Sequence, residues 1–518
     1  MAFVYATFAI QQELAGAGAG WTALGTDIAH DPITVKYGIE GSTPNDRVAN
    51  AGKMTWSLRN SILNSGGALG YYSLLNASKR SGFALNNGVR LAISCPDVAG
   101  GTLYYKFRGT LSETYPTPGA YADRLVKCVA VDWWDDAANN DEPDIATQTN
   151  KRPDQLLTTL LAALTTQPPA QTLETGSETY AFAFDGGVGG TGRRLKVRER
   201  INQIVKSEVG YAYSKGDTTQ GGTLYFENRH HRASNPTVLF TFTNDPARDG
   251  LTVPATRSDV WRKVLVAVHP TNNVATAATI VLWSLQKATL LLQPGETNST
   301  VFGAFFDPTT KEHIGANSTS AVTATTDYLM NSAADGSGSN LTANLTATAS
   351  ATGLGVAWTL TNTGATAGYV TLLQIRGIPI YRYDAQIQLT VTGSYGDQVL
   401  DYDMPLQNDV NVATSVGQFF TSILAVLYAR VKSVKFLANK SAAYMAAALQ
   451  LEPGDRIAIT ETVTGLAHQF TINSVGLQGE RGGILWCTWG LEPATLQAFW
   501  LWGVAGASEW GVTTNYGF

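Results

Sequence analysis

The chain has 518 residues, with Lys+Arg 36 against Asp+Glu 41 and a formal net charge of −5. Only 15% of residues are charged, 44% are hydrophobic and 51 are Gly. This balance excludes a disordered chain, which lacks apolar residues to bury, and disfavours a nucleic-acid binder with an overall basic footprint. At about 150 residues per domain the length predicts three or four domains, and the Gly, Thr and aromatic content predicts a β-rich fold.

In chain order, residues 3–10 read as a strand, interrupted by Gln11, Gln12 and Glu13 and lacking the basic start of an export signal. Apolar runs at 33–38, 54–58, 89–93 and 103–109, separated by turn chemistry, predict a barrel or sandwich up to about 135. Asp132 to Asp144 holds six acids and no base and reads as a solvated linker. A mixed unit follows: Asp154 as the cap of a helix at 156–164, a strand at 180–184, an amphipathic helix at 194–209 and a hairpin of 211–213 with 224–226.

From 235 to 384 charge thins out and strand-like runs alternate with Ser/Thr/Gly stretches, predicting an inserted β-sandwich. Within it, 355–361 and 369–375 read as a hairpin through AsnThrGly, and 315–352 as mobile loop. Residues 385–495 return to barrel-like chemistry, with one helix at 413–431 and strands at 455–461, 467–474 and 483–489. The segment 496–518 is aromatic: Phe499, Trp500, Trp502 and Trp510 stand out as partner-docking candidates. No uninterrupted apolar stretch is long enough to span a membrane.

Motifs of chemistry are sparse. Gly187-x-Gly189-x-x-Gly192 has the spacing of a dinucleotide turn, but it leads into a hairpin rather than a second βα crossover, so a flexible Gly turn is expected. The basic run Arg193, Arg194, Lys196, Arg198 and Arg200 marks a solvated or salt-bridged helix face, with Arg194 and Arg198 as docking candidates. His230–His231, adjacent on an expected strand, would point to opposite faces and not share a metal. Cys95, Cys128 and Cys487 form no CxxC pair and read as free, buried thiols. No catalytic residue, metal site or cofactor is expected.

Three groups of strings carry a resemblance. TyrGlyIleGluGlySerThrProAsnAspArgValAla at 37–49 is followed by GlyLysMetThrTrpSerLeuArgAsnSer at 52–61 and LeuGlyTyrTyrSer at 69–73. LysPheArgGlyThrLeu at 106–111 leads into AspArgLeuValLysCysValAlaValAspTrp at 123–133. IleValLysSerGluValGlyTyrAlaTyr at 204–213 is joined by LeuTyrPheGluAsnArg at 224–229, and later by TyrAspMetProLeu at 402–406 and GluProGlyAspArgIleAlaIleThr at 452–460. Together they resemble the minor tail or baseplate-hub proteins of long-tailed bacteriophages, over about two-thirds of the chain.

The resemblance implies an α+β, mainly β fold. Its parts would be a tube-like β-barrel domain at 1–135, a linker and small α/β domain at 136–234 and a second tube-like domain at 385–495; the inserted sandwich at 235–384, which the resemblance skips, and the aromatic tail at 496–518 complete the chain. It implies a mechanical, non-enzymatic role: a homotrimer whose six tube-like domains match a six-fold tail tube. Distal tail, tape-measure and central fibre or spike proteins would be its partners, and DNA would pass through its lumen without specific binding. Such a protein is made in the host cytoplasm and resides at the virion tail tip. The alternative is a carbohydrate-binding adhesin using Trp283, Trp358 or Tyr369 of the insertion.

Overall fold

Inward and outward side chains alternate along Ile33–Gly38: Ile33, Val35 and Tyr37 are buried while Lys36 is exposed. A strand that buries one face in this way is registered by its hydrophobic set. The computed structural model describes residues 3–494 apart from 17, 19, 30, 42, 120–123, 144, 185–194, 245–250, 255–259, 273–278, 286–288, 307–313, 352, 392–397 and 425–430. Beyond 494 it describes only the backbone of two short paired strands, Ala498–Phe499 and Thr514–Asn515.

The strands Thr7–Gln12, Ile33–Gly38, Asn50–Arg59, Gly88–Ser94, Tyr104–Pro116 and Leu125–Val131 build the N-terminal half of one large sheet. The C-terminal strands Ser433–Leu437, Arg456–Glu461, Leu466–Glu480 and Ile484–Pro493 build the other half. The halves meet edge to edge, Ile33–Gly38 pairing antiparallel with Leu466–Glu480 from Ser474↔Gly38 to Gly479↔Ile33. Two separate tube-like barrels were expected. Instead, the described residues form a twelve-stranded sheet whose order does not close on itself. The physical reason is that residues 474–479 take the free edge of 33–38, and both halves then drain into one core. Met54, Trp56, Leu91 and Phe107 share it with Phe436, Tyr444, Phe470 and Trp489. A helix not foreseen in the sequence, Ala442–Gln450, covers part of this core; Ser441 caps it by accepting from the Tyr444 amide at 3.4 Å.

The acidic stretch after 131 is a helix, Trp133–Asn139, rather than a linker. Asp132 caps it by accepting from the Trp134 amide at 3.1 Å, and Trp133 and Trp134 are buried beneath it, which no solvated linker provides. Helices Pro153–Ala163 and Val197–Glu208 complete a second core with Leu156, Leu160, Ile201 and Ile204. Arg152, not Asp154, is the capping position of the first; its amide donates to the Gln155 side chain at 3.1 Å, and Asp154 instead accepts from Gly176 at 3.0 Å. Residues 180–184 make only single bridges, Tyr180 to Lys151 and Ala183 to Gln148. The hairpin of Tyr211–Lys215 with Thr223–Glu227 is present, extended by Ala170–Leu173.

The pairings divide the chain differently from boundaries at 235 and 385. Val238–Thr243 lies parallel to Arg456–Glu461 in the large sheet. Trp261–Val268 sits between Gln386–Val391 and Gln398–Met404, with the helix Val410–Leu424 packed on it through Val416 and Phe420. The insertion proper therefore begins beyond 272. Its long strand Gly368–Arg382 pairs with Ile280–Ser284, Leu290–Leu292, Ile314–Thr319 and Tyr328–Asn331, while Gly355–Asn362 lies between Thr297–Ala304 and Leu345–Ala351. The two sheets share one core.

So 355–361 and 369–375 are not a hairpin but neighbours in different sheets. Buried Asn362 turns the chain across, donating to Leu292 O at 3.1 Å and Thr366 O at 2.9 Å and accepting from Gly364. Much of 315–352 is strand or side-chain-stapled turn, not loose loop. Cys95, Cys128 and Cys487 are free and buried. Among the described residues no helix is long and apolar enough to cross a membrane.

Candidate functional site

Where the large sheet, the small α/β unit and the three-stranded unit come together, charged residues from distant parts of the chain are buried against one another. The hairpin register places Glu227 opposite Tyr211 at its inner end. Glu227 accepts from the Tyr213 hydroxyl and, at 3.1 Å, from Arg232 Nε. Arg232 also donates at 3.0 Å to Asn473 and to Glu492, and its guanidinium lies 3.4 Å from the Tyr211 ring centroid. Arg456 donates to the Arg232 carbonyl at 2.6 Å. One arginine thus ties the small unit to two C-terminal strands.

Arg47 approaches the same Tyr211 ring, 4.7 Å from its centroid, and donates at 2.8 Å to the carbonyls of Pro44 and Val209. Val209 holds a left-handed φ of 59° at the end of the Val197–Glu208 helix, which turns its carbonyl toward Arg47. On that helix Ser207 Oγ accepts from the Leu406 amide at 3.0 Å, and the Lys206 carbonyl accepts from the Tyr402 hydroxyl at 2.9 Å. Glu208 accepts from the Ser177 amide at 2.8 Å and lies 3.6 Å from Arg229.

A second cluster lies across the sheet junction. Lys106, on a strand of the N-terminal half, pairs with Glu452 and donates to the Leu449 carbonyl at 3.1 Å. Glu452 also accepts from the Tyr37 hydroxyl at 2.8 Å. Both partners are nearly excluded from solvent, Lys106 at 1% and Glu452 at 6% exposure.

Protonation follows from burial and pairing. Burial raises the Glu227 carboxyl, but Arg232 and His231 outweigh it and hold the group below its usual range. Asp132 is buried beside the carboxyls of Asp135 and Asp136, which add to the cost of its charge. Burial pushes its pKa up to about 7 against the lowering effect of the Gly52 and Trp134 amides. Burial likewise raises Asp455. Glu227 is thus held ionised by its cations, while Asp132 and Asp455 carry the cost of burying their charge. Among the described residues no cluster of three or more His, Cys, Asp or Glu offers a metal site.

The residues singled out from the sequence lie elsewhere. Arg198 donates to the Ala49 carbonyl at 2.9 Å and to the Asn50 side chain, so it docks within the chain. Lys196 pairs with Asp141 at 2.7 Å, and buried Arg200 with Glu142 at 2.7 and 2.9 Å. Arg194, Trp500, Trp502, Trp510 and the glycines at 187–192 fall outside the described residues, as does the side chain of Phe499. His230 and His231 open a short helix rather than a strand, and His231 contacts Glu174 and Glu227 at 3.1 and 3.3 Å. Trp283 and Trp358 lie in the insertion core and Tyr369 is half-buried, so the two tryptophans offer no exposed stacking surface for a sugar. Sequence reasoning missed the roles of Arg47, Lys106, Arg232, Glu452 and Glu492. The signal was there for Lys106: a charge set between Tyr105 and Phe107 in an aromatic strand, buried together with Tyr104 and Phe107.

No family model and no curated protein matches the chain. Among solved structures it is similar to a tail protein from Neisseria meningitidis, at 7% identity over 93% of this chain and 96% of that one, with a TM-score of 0.47. It is also similar to the 43 kDa tail protein of prophage MuSo2 from Shewanella oneidensis, at 9% identity over 93% and 97% of the two chains, TM-score 0.45. A third similar structure is a type VI secretion system component from E. coli, at 7% identity over 91% of this chain and 76% of that one, TM-score 0.37.

Proposed function

We propose that this chain is a structural virion protein, the baseplate hub at the distal end of a phage tail. In this reading it is a homotrimer that joins a six-fold tail tube to a three-fold central fibre or spike and leaves a channel for DNA. Its work is mechanical rather than catalytic, and the aromatic segment 496–518 docks a neighbouring tail protein.

The observation that carries the reading is the junction. The strings that resemble baseplate hubs contribute Tyr37, Arg47, Lys106, Ser207, Glu208, Tyr211, Tyr213, Glu227, Glu452 and Arg456, and the fold gathers these residues into the two buried clusters where its units meet. Residues used this way hold two β halves in fixed relation, which a ring component under load requires; a substrate pocket would leave polar groups facing a cleft. Size-exclusion chromatography with light scattering is expected to give three chain masses, and averaged images a three-fold ring. A stable monomer across micromolar concentrations would refute the hub. Truncation after residue 495 is expected to leave the trimer intact and abolish docking of the neighbouring tail protein; undiminished docking would remove that role from the tail.

A further inference from the structure

Cross-strand register lines up lysines from both ends of the chain on the outward face of the large sheet. Consecutive Cα partners run Lys435, Thr488, Gly476, Lys36, Lys53, Val131, Thr110 and Gly88, with three lysines and no acid in the row. Side chains alternate along each strand, so these positions share one surface; Lys36 and Lys53 are exposed and Lys435 half-exposed over the Trp486 ring. Lys127 stands exposed on the same face of its strand, beyond Val129, in a shallow hollow that it shares with Lys53 and Glu113. At the far end Arg90 and Arg108 face each other directly across two strands and both approach the Trp21 ring, at 4.4 and 5.3 Å. Acids share the surface as well: Glu40 lies 2.6 Å from Lys36, and Glu113 accepts the Tyr115 hydroxyl.

Lys36 opposite Lys53 and Arg90 opposite Arg108 are like-charge pairs in direct register, an arrangement that destabilises a sheet. Nothing in the core requires it, since the inward neighbours Val35, Met54, Leu91 and Phe107 do the packing. In a chain whose net charge is −5, Lys435, Lys36, Lys53 and Lys127 still outnumber the Glu40 and Glu113 carboxylates beside them. The six strands from Ser433–Leu437 to Leu125–Val131 place five interstrand spacings between Lys435 and Lys127. At ~4.8 Å each this is roughly 24 Å, a length that spans several phosphates of a DNA duplex. A spread row with hydroxyls between the charges suits a repeating polyanion better than a compact acidic patch on a protein.

We propose that this face binds duplex DNA through its phosphate backbone, without reading sequence, the contacts being made by Lys435, Lys36, Lys53 and Lys127. The idea deepens the hub reading by naming the surface that meets the DNA, and it rests on that reading for why DNA is there. Fluorescence anisotropy with two labelled 30-base-pair duplexes of unrelated sequence, from 50 to 200 mM NaCl, tests it. Wild type is expected to bind both equally and to weaken steeply with salt. Lys53→Glu should bind about five- to tenfold more weakly, while Lys79→Glu, the same charge change on an exposed loop away from the row, should not. The triple variant K36E/K53E/K435E should lower the log–log salt slope by about three.

Absence of wild-type binding at 50 mM salt, or equal weakening by Lys79→Glu, would overturn the proposal. So would retention of poly-glutamate that DNA fails to displace, which would point to an acidic protein partner. All these variants sit on the surface, and unchanged thermal unfolding verifies that they fold. A wild-type chain that forms a normal trimer but binds no DNA would refute the face alone, and a monomer that still binds DNA through these lysines would refute the hub alone.

Discussion

The large sheet and the insertion solve the same problem, holding β-strands in register, with different materials. At the junction, Lys106–Glu452 is a buried ion pair joining residues 346 positions apart, and Arg232, itself paired with Glu227, reaches Glu492 260 positions on. The insertion holds its strands mainly with apolar packing and with Asn and Thr side chains such as Asn362, Asn331 and Thr342. Its Arg376–Asp327 pair keeps the arginine a third exposed. The difference follows from chain connectivity. Strands brought together from opposite ends of a long sequence have no turn to set their register, and a buried charge tolerates only the partner that neutralises it. A continuous segment gets its register from its own turns. Buried pairs are weak evidence for stability but good devices for uniqueness, so the comparison predicts what breaks when each is disturbed.

The largest effect should come from Glu452→Ala. It leaves the Lys106 ammonium buried with only the Leu449 carbonyl and deprives the Tyr37 hydroxyl of its acceptor. The expected cost is about 3–5 kcal/mol in denaturant unfolding of the main unit. The double change Lys106→Met with Glu452→Leu should recover most of it, because an apolar pair removes the orphaned charge along with the bond. A loss below about 1 kcal/mol for Glu452→Ala would show that water reaches this pair and that the contrast with the insertion is false.

How much of this was legible in the sequence depends on range. Strands at 33–38, 88–94 and 456–461, and the helix face of Ile201, Ile204 and Val205, follow from local period and appear where the pattern put them. The joining of 33–38 to 474–479 was not legible, because both segments read equally well as strands of separate barrels and nothing local encodes a partner 440 residues on. The acidic stretch was misread for a related reason. Counting its carboxylates suggests solvent, yet Asp132 and Glu142 face inward while Trp133 and Trp134 anchor the helix. The AsnThrGly at 362–364 has hairpin chemistry, but the Asn362 side chain is committed to a neighbouring strand and sends the chain to the other sheet. Of the site, the strings that carry the family resemblance were visible; that they converge on two buried clusters at the junction was not.

pH separates the two regions next. Asp132, 5% exposed, titrates near 7 in the folded chain because burial penalises its charge. A carboxyl raised above its unfolded value of about 3.9 favours the folded state below that value and loses this contribution as pH rises toward 7. Asp132→Asn keeps an oxygen for the Gly52 and Trp134 amides while removing the titration. The variant should match wild type near pH 4 and exceed it by roughly 1–3 kcal/mol at pH 8. Thermal unfolding across that range measures the difference. A constant offset at all pH values would mean that the carboxyl is already ionised in the fold at little cost.

The smallest effect is expected from removing the insertion altogether. Thr271 pairs with Arg382 and Asn272 with Tyr381, so the two ends of the segment 273–380 already lie side by side in one antiparallel ladder. An Asn-Gly turn between Asn272 and Tyr381 closes that ladder in the geometry two-residue hairpins favour. The remaining chain would lose contacts near Phe182 and Thr147, where Gly315 and Gly353 of the insertion pack, but none of the buried ion pairs. Its main unfolding transition should therefore move by less than about 1 kcal/mol, and any separate transition belonging to the insertion should vanish. If the shortened chain instead fails to fold, the insertion is no self-registered guest. The strand Gly368–Arg382 would then be setting the register of its host, and the ion pairs at the junction would be insufficient to fix the two halves without it.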